Sequence, residues 1–218
     1  MKGIGNIYLS WRKGQGQRRY IVGVIKSNVT EGVRFQYLQE GVEKAKADGF
    51  LPYTEFPNLN QTYTENVLDV FGQRIIKSDR QDIKTFLDFW EINPKFLNNK
   101  YYMLAYTQGF VPTDNFEFLA SFNPVEGLCF VTDLANVGSN KIENTAIKVG
   151  DKLRFERESD NQFDNKAVKV FKGDLLLGYI KKIHCNVFHK NSSVRPELTI
   201  KAIEKNGYVK RIFVKVSF

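Results

Sequence analysis

Two cysteines and two histidines are all that 218 residues provide, and each scarcity removes a class of function. Cys129 and Cys185 are too few for a disulfide scaffold or a cysteine-rich zinc site. They allow at most one bridge; in a reducing cytoplasm they stay thiols, and their apolar neighbours predict that both are buried. His184 and His189 are the only imidazoles for a catalytic triad, and neither lies near a G-x-S-x-G nucleophile motif. Cys185 and His189 share one face of a helix at i, i+4, but a fourth ligand and a Cys-x-x-Cys partner are missing. The pattern therefore reads as a partly buried helix, with no metal and no cofactor expected.

Long apolar runs are missing too. No stretch reaches the ~18 residues of a membrane helix, and the opening MKGIGNIYLSWRKG lacks the apolar core and small-residue cleavage site of a secretory leader. The expectation is a cytoplasmic protein with no membrane partner. A glycine-rich phosphate loop and a kinase Asp/Asn set are absent as well. A nuclease needs carboxylates converging on magnesium, and only Asp160 and Asp164 lie close in sequence. The chain reads as a binding protein, not an enzyme.

Aromatic residues and positive charge are abundant. Eighteen Phe, ten Tyr and two Trp supply core material, and the net charge is +8. The excess is unequal: residues 123–218 carry 17 Lys and Arg against 11 Asp and Glu, so +6 falls in that part. Clustered cations suit a polyanion through counterion release, although a solvated basic surface serving solubility reads the same way.

The length suits two compact units of roughly 100 residues each. In the first, β-like runs at 7–11 and 19–26 flank a glycine-bearing turn that includes Gln15, and a third run covers 33–38. The turn's Arg12, Lys13, Arg18 and Arg19 read as a solvated tip that could also guide nucleic acid. Helical stripes follow: Val67, Leu68, Phe71 and Ile75 after Thr64, then Ile83, Phe86, Leu87 and Trp90 behind a Ser78-x-x-Gln81 capping box. Asn93 is placed to cap a further helix from Pro94. Gly109, Pro112 and Pro124 among polar residues mark a linker or domain edge between 105 and 124, with the boundary near Ser121.

Short strands then take over. Leu153 and Phe155 alternate with charges, runs 166–171 and 175–180 flank a Lys172-Gly173-Asp174 turn, and Asn206-Gly207 is a hairpin signature between the last two strands. One helix, 181–190, carries Ile183, Val187 and Phe188 on its apolar side. The fold class is α+β: a mixed sheet-and-helix domain over 1–120, then a small β-barrel over 121–218 whose closure removes exposed edges.

Gly150-Asp151, Arg157-Glu158, Asn161, Phe163-Asp164, Ala167-Val168-x-Val170 and Gly178-Tyr179-Ile180 occur in the order and spacing of the HIRAN signature, which residues 123–218 resemble. That signature runs roughly G-D-x-L-x-L-x-R-E-P-x-N-P-Y-D-x-N-A-V-x-V, then G-Y-I-P. The resemblance implies a modified β-barrel that captures the 3′ end of single-stranded DNA, in repair, replication or defence. In that family two aromatic rings stack on bases, an aspartate bonds the terminal hydroxyl and basic groups hold phosphates.

Carried over by position, the rings are Phe130, from Gly127-Leu128-Cys129-Phe130 on the opening strand, and Phe163. The hydroxyl acceptor is Asp164, and phosphates fall to Lys182, Tyr179 and Lys181. Arg157 joins the set, although with Glu158 it also reads as a surface pair. Cys129 stands where DNA-binding members have arginine, Phe163 where they have tyrosine, and Ser159 and Gln162 where they have prolines. Both phenyl rings also read as barrel filling, and Asp164 as a turn carboxylate bonded to the backbone of Lys166 or Ala167.

Residues 1–118 resemble, more faintly, the N-terminal subdomain of HipA-type kinases, on residues 7–11, Val22-Gly23-Val24, Phe35-x-Tyr37 and Leu51-Pro52. That resemblance implies a regulatory toxin–antitoxin module which docks a partner protein, without kinase activity.

Overall fold

A computed structural model describes residues 3–14, 16–111, 114–190, 192 and 194–218. The chain separates into two compact units. One comprises Ile4–Asp88 and Ile92–Ser121; the other comprises Phe122–Phe218 together with Gly3 and Phe89–Glu91. Gln15 of the expected turn and Pro112 of the expected linker lie outside the described residues.

The first unit is built on β1 (Ile4–Arg12), β2 (Arg19–Asn28) and β3 (Gly32–Tyr37), an antiparallel meander. Helix α1 (Gln39–Lys46), strand β4 (Thr62–Tyr63), helices α2 (Val67–Gly72), α3 (Ile83–Trp90) and α4 (Lys100–Thr107), and strand β5 (Phe116–Phe122) follow. The sheet order is β4-β3-β2-β1-β5. Ile7, Leu9, Val22, Ile25 and Phe35 are fully buried beneath the helices' aromatic residues. The Phe35 ring lies 4.8 Å from Tyr37, 5.2 Å from Phe56 and 5.1 Å from Phe71. Gly23 makes room for it, since a Cβ there would stand 2.6 Å from Phe35 Cε2.

Several boundaries differ from the sequence reading. Helix α3 begins at Ile83, with the Phe86 amide bonded to the Asp82 carbonyl, so Ser78 is not its cap. Pro94 opens only a 3-10 turn, with Asn93 accepting from the Lys95 amide; the α-helix starts a turn later, where Asn99 Oδ1 accepts from Tyr102 N at 2.9 Å. Helix α4 runs to Thr107 and β5 starts at Phe116, and both belong to the first unit, which gives way to the second between Ser121 and Phe122. Arg74 ties down the segment between α4 and β5. Its guanidinium pairs with Asp114 and donates to the carbonyls of Gly109 (2.9 Å) and Phe116 (3.2 Å). At the first hairpin's tip Arg19 is engaged by buried Glu117 at 2.7 Å, whereas Lys13 and Arg18 are exposed.

In the second unit β6 (Cys129–Asp133), β7 (Lys152–Glu158), β8 (Ala167–Lys172), β9 (Leu175–Tyr179), β10 (Glu197–Asn206) and β11 (Tyr208–Ser217) form one antiparallel sheet in the order β6-β11-β10-β7-β8-β9. Gly207, at φ +74°, closes the β10–β11 hairpin, as Asn-Gly foretells. Of the expected helix only Asn186–His189 is regular (α5), preceded by turns. Glu91, beyond α3, bonds Lys201 and Lys215 (3.0 Å), and Phe213 lies 5.3 Å from the ring of Phe89. Cys185 is buried as expected; Cys129 is only partly so, near the ammonium of Lys215.

The sheet is not a closed barrel. Strand β6 stops at Asp133 and the chain turns into a 3-10 segment at Val137–Asn140, so β6 and β9 share no ladder. A single bridge spans the gap: Ala135 N donates to Tyr179 O at 2.7 Å, and Tyr179 N to Ala135 O at 2.9 Å. Gly178 permits that approach. Its φ is +152°, and a Cβ would stand 2.5 Å from the Ala135 carbonyl oxygen. Gly178→Ala is therefore expected to destabilise the protein by more than about 1 kcal/mol, through strain and loss of the bridge. Urea denaturation measures this, and an unchanged midpoint rejects it.

Candidate nucleic-acid interface

The connection from β7 to β8 is shaped by one side chain. Asn161 Oδ1 accepts from the amides of Phe163 (2.9 Å) and Asp164 (3.0 Å), while Asn161 Nδ2 donates to Glu158 Oε2 at 2.7 Å. An asparagine that replaces backbone partners in this way turns the chain without proline. Asp164 continues the turn, its Oδ1 accepting from Lys166 N at 3.0 Å and its carbonyl from Ala167 N at 2.9 Å. Glu158 is anchored by Lys169, Asn161 and Tyr179, contacts that hold its carboxyl below the usual range, Lys169 contributing most.

This loop throws Phe163 outward, leaving the residue 80% exposed. Residues 161–166, together with Lys182, Ile183 and Asn186, line an open groove of about 520 Å³. Three sequence candidates, Phe163, Asp164 and Lys182, thus share one cleft. Lys166, which the sequence reading passed over, joins them; its exposed position two residues after the aspartate was the available sign. Asp164 acts as the turn carboxylate through Oδ1, while its Oδ2 has no partner among the described residues. The ammonium groups of Lys166 and Lys182 are likewise unpaired there, so the cleft presents two cations, one acceptor and one ring.

The remaining candidates fall elsewhere. Phe130 is 0% exposed, stacked on Phe122 at 4.3 Å and packed against His184 at 5.3 Å, so it offers no face to a base. It fills the core, and its assignment as a stacking ring is corrected. Lys181 is 3% exposed and ion-paired with Asp133, which also meets Arg211 Nε at 3.3 Å. A buried, neutralised ammonium cannot hold a phosphate, which removes Lys181 as well. Tyr179 bonds Glu158 and sits opposite Lys169, outside the groove. Arg157 is exposed and does not line the groove, and Glu158 has chosen Lys169, so no Arg157–Glu158 pair forms.

His184 has a structural part. Its Nδ1 lies 2.9 Å from Thr132 Oγ1, and burial, with Lys181 adding, drives its pKa down to about 3. His189 Nε2 donates instead to the Lys166 carbonyl at 3.0 Å. Among the described residues no three His, Cys, Asp or Glu side chains converge as metal ligands, and no helix is long and apolar enough to cross a membrane. Because His184 protonates at about pH 6.5 when unfolded but only near 3 when folded, the unfolded state binds the extra proton between those values. Stability should fall as pH drops from 6.5 towards 3, by up to about 1.4 kcal/mol per unit from this residue. Urea midpoints against pH test this; a His184→Gln variant that keeps the full slope rejects it. Asp133→Asn, which removes the buried carboxylate that Lys181 and Arg211 share, is expected to cost about 3–5 kcal/mol in the same assay.

Comparison with known proteins finds a match within this half. The family model described as "HIRAN domain" matches residues 122–211. The crystal structure of the HIRAN domain of human HLTF aligns at 13% identity over 40% of this chain and 74% of its own, with a TM-score of 0.33. No curated protein matches the chain, and nothing in these comparisons supports the HipA-type resemblance of the N-terminal half. The Asn161-built loop and the groove beside it lie within residues 122–211, the stretch that matches the HIRAN domain model.

Proposed function

We propose that this protein is a non-enzymatic nucleic-acid-binding protein that holds the end of a single DNA strand in the groove between residues 161–166 and α5. The observation that carries this reading is the meeting of an exposed ring, an acceptor and two cations in one cleft of a HIRAN domain. Phe163 stacks on a base, which contributes ~1–3 kcal/mol without regard to base identity. Asp164 Oδ2 accepts from a free terminal hydroxyl and repels a terminal phosphate. Lys182 and Lys166 offset backbone charge, and the +6 balance of residues 123–218 favours approach of a polyanion.

Fluorescence anisotropy with 3′-hydroxyl and 3′-phosphate oligonucleotides tests the mechanism. The hydroxyl form should bind about fivefold or more tightly, in line with ~1 kcal/mol for like charges at about 4 Å in water. Asp164→Ala should erase that preference. One phosphate neutralised on a single strand gives a slope of about −0.7 in log K against log salt. Equal binding of both oligonucleotides by the native protein removes end reading, and salt-insensitive capture of a protein in place of DNA would favour a docking module instead.

A further inference from the structure

We infer that the groove recognises one nucleotide, the terminal one, and that the penultimate base is not bound. This rests on the strand-end reading above and fixes the size of its ligand. A second stacked base needs a second ring face, and among the described residues lining the groove Phe163 is the only aromatic. The other ring of the HIRAN resemblance, Phe130, is fully buried, stacked on Phe122 at 4.3 Å with His184 packed beside it at 5.3 Å, and so has no face open to a base. Freeing it would strip a fully buried phenyl from the core, exposing apolar surface that one stacked base restores only in part.

The cationic groups point to the same footprint. Lys181, which would reach a further phosphate, is withdrawn into its pair with Asp133. Lys166 and Lys182 remain, one from each of the two chain segments that line the cleft. The phosphate joining the terminal nucleotide to its neighbour is the one they can share, with the terminal base on Phe163 and its hydroxyl at Asp164. Beyond that linkage the strand leaves the groove, and its remaining bases are in water.

Abasic scanning separates this from the strand-end reading itself. Anisotropy is measured with the whole protein and 3′-hydroxyl oligonucleotides that are intact, abasic at the terminal position, or abasic at the penultimate one. Loss of the terminal base should weaken binding about tenfold; loss of the penultimate base should change it less than twofold. In Phe163→Ala, an exposed substitution that leaves the fold unaffected, the terminal base should no longer matter. If the two abasic positions cost equally while the hydroxyl preference persists, the one-nucleotide footprint is wrong and end capture stands. If no oligonucleotide binds, both fall.

Discussion

The groove depends on a single side-chain carbonyl. Asn161 Oδ1 receives two consecutive backbone amides, and its amide nitrogen clamps Glu158 at the end of β7, so the chain reverses with a fixed hand between strands that must pair at Glu158 and Ala167. A loop of eight residues has many ways to span that gap, and ordering each backbone unit costs about 1–2 kcal/mol. Three hydrogen bonds converging on one residue are what select the conformer in which Phe163 faces water and Asp164 faces the cleft. Ser159 and Gln162, standing where the family pattern has prolines, leave the rigidity of the turn to Asn161.

Much of the architecture was legible because it is local. Alternation marked β1, β2, β7 and β8, Asn-Gly marked the last hairpin, and the motif carrying Asn161, Phe163 and Asp164 is contiguous in sequence. What was not legible depends on contacts between distant residues. Phe130 looks the same in sequence whether it lines a groove or fills a core; Phe122 and His184, 8 and 54 positions away, decide the matter. Lys181 and Lys182 are adjacent and identical, yet opposite in fate, because only the first meets Asp133. The tie from Arg74 to Gly109 is hidden for the same reason, since nothing near Gly109 announces it.

Closure of the sheet was overcalled by an argument about edges. Short strands favour a closed barrel when every end strand finds a neighbour, but β6 ends before β9 can pair with it. One reciprocal pair of hydrogen bonds at Ala135 and Tyr179 does in part what a ladder would have done.

The three-residue stretch Phe89–Glu91 gives the C-terminal unit an interleaved topology. Glu91 joins Lys201 and Lys215 across 110 and 124 positions, so this unit is not a continuous block of chain. A fragment of residues 122–218 alone would lack the carboxylate that neutralises those two lysines and the rings that pack on Phe213. Evolutionary shuffling of residues 122–218 as a cassette would therefore have to carry, or re-create, an acidic residue borrowed from far upstream.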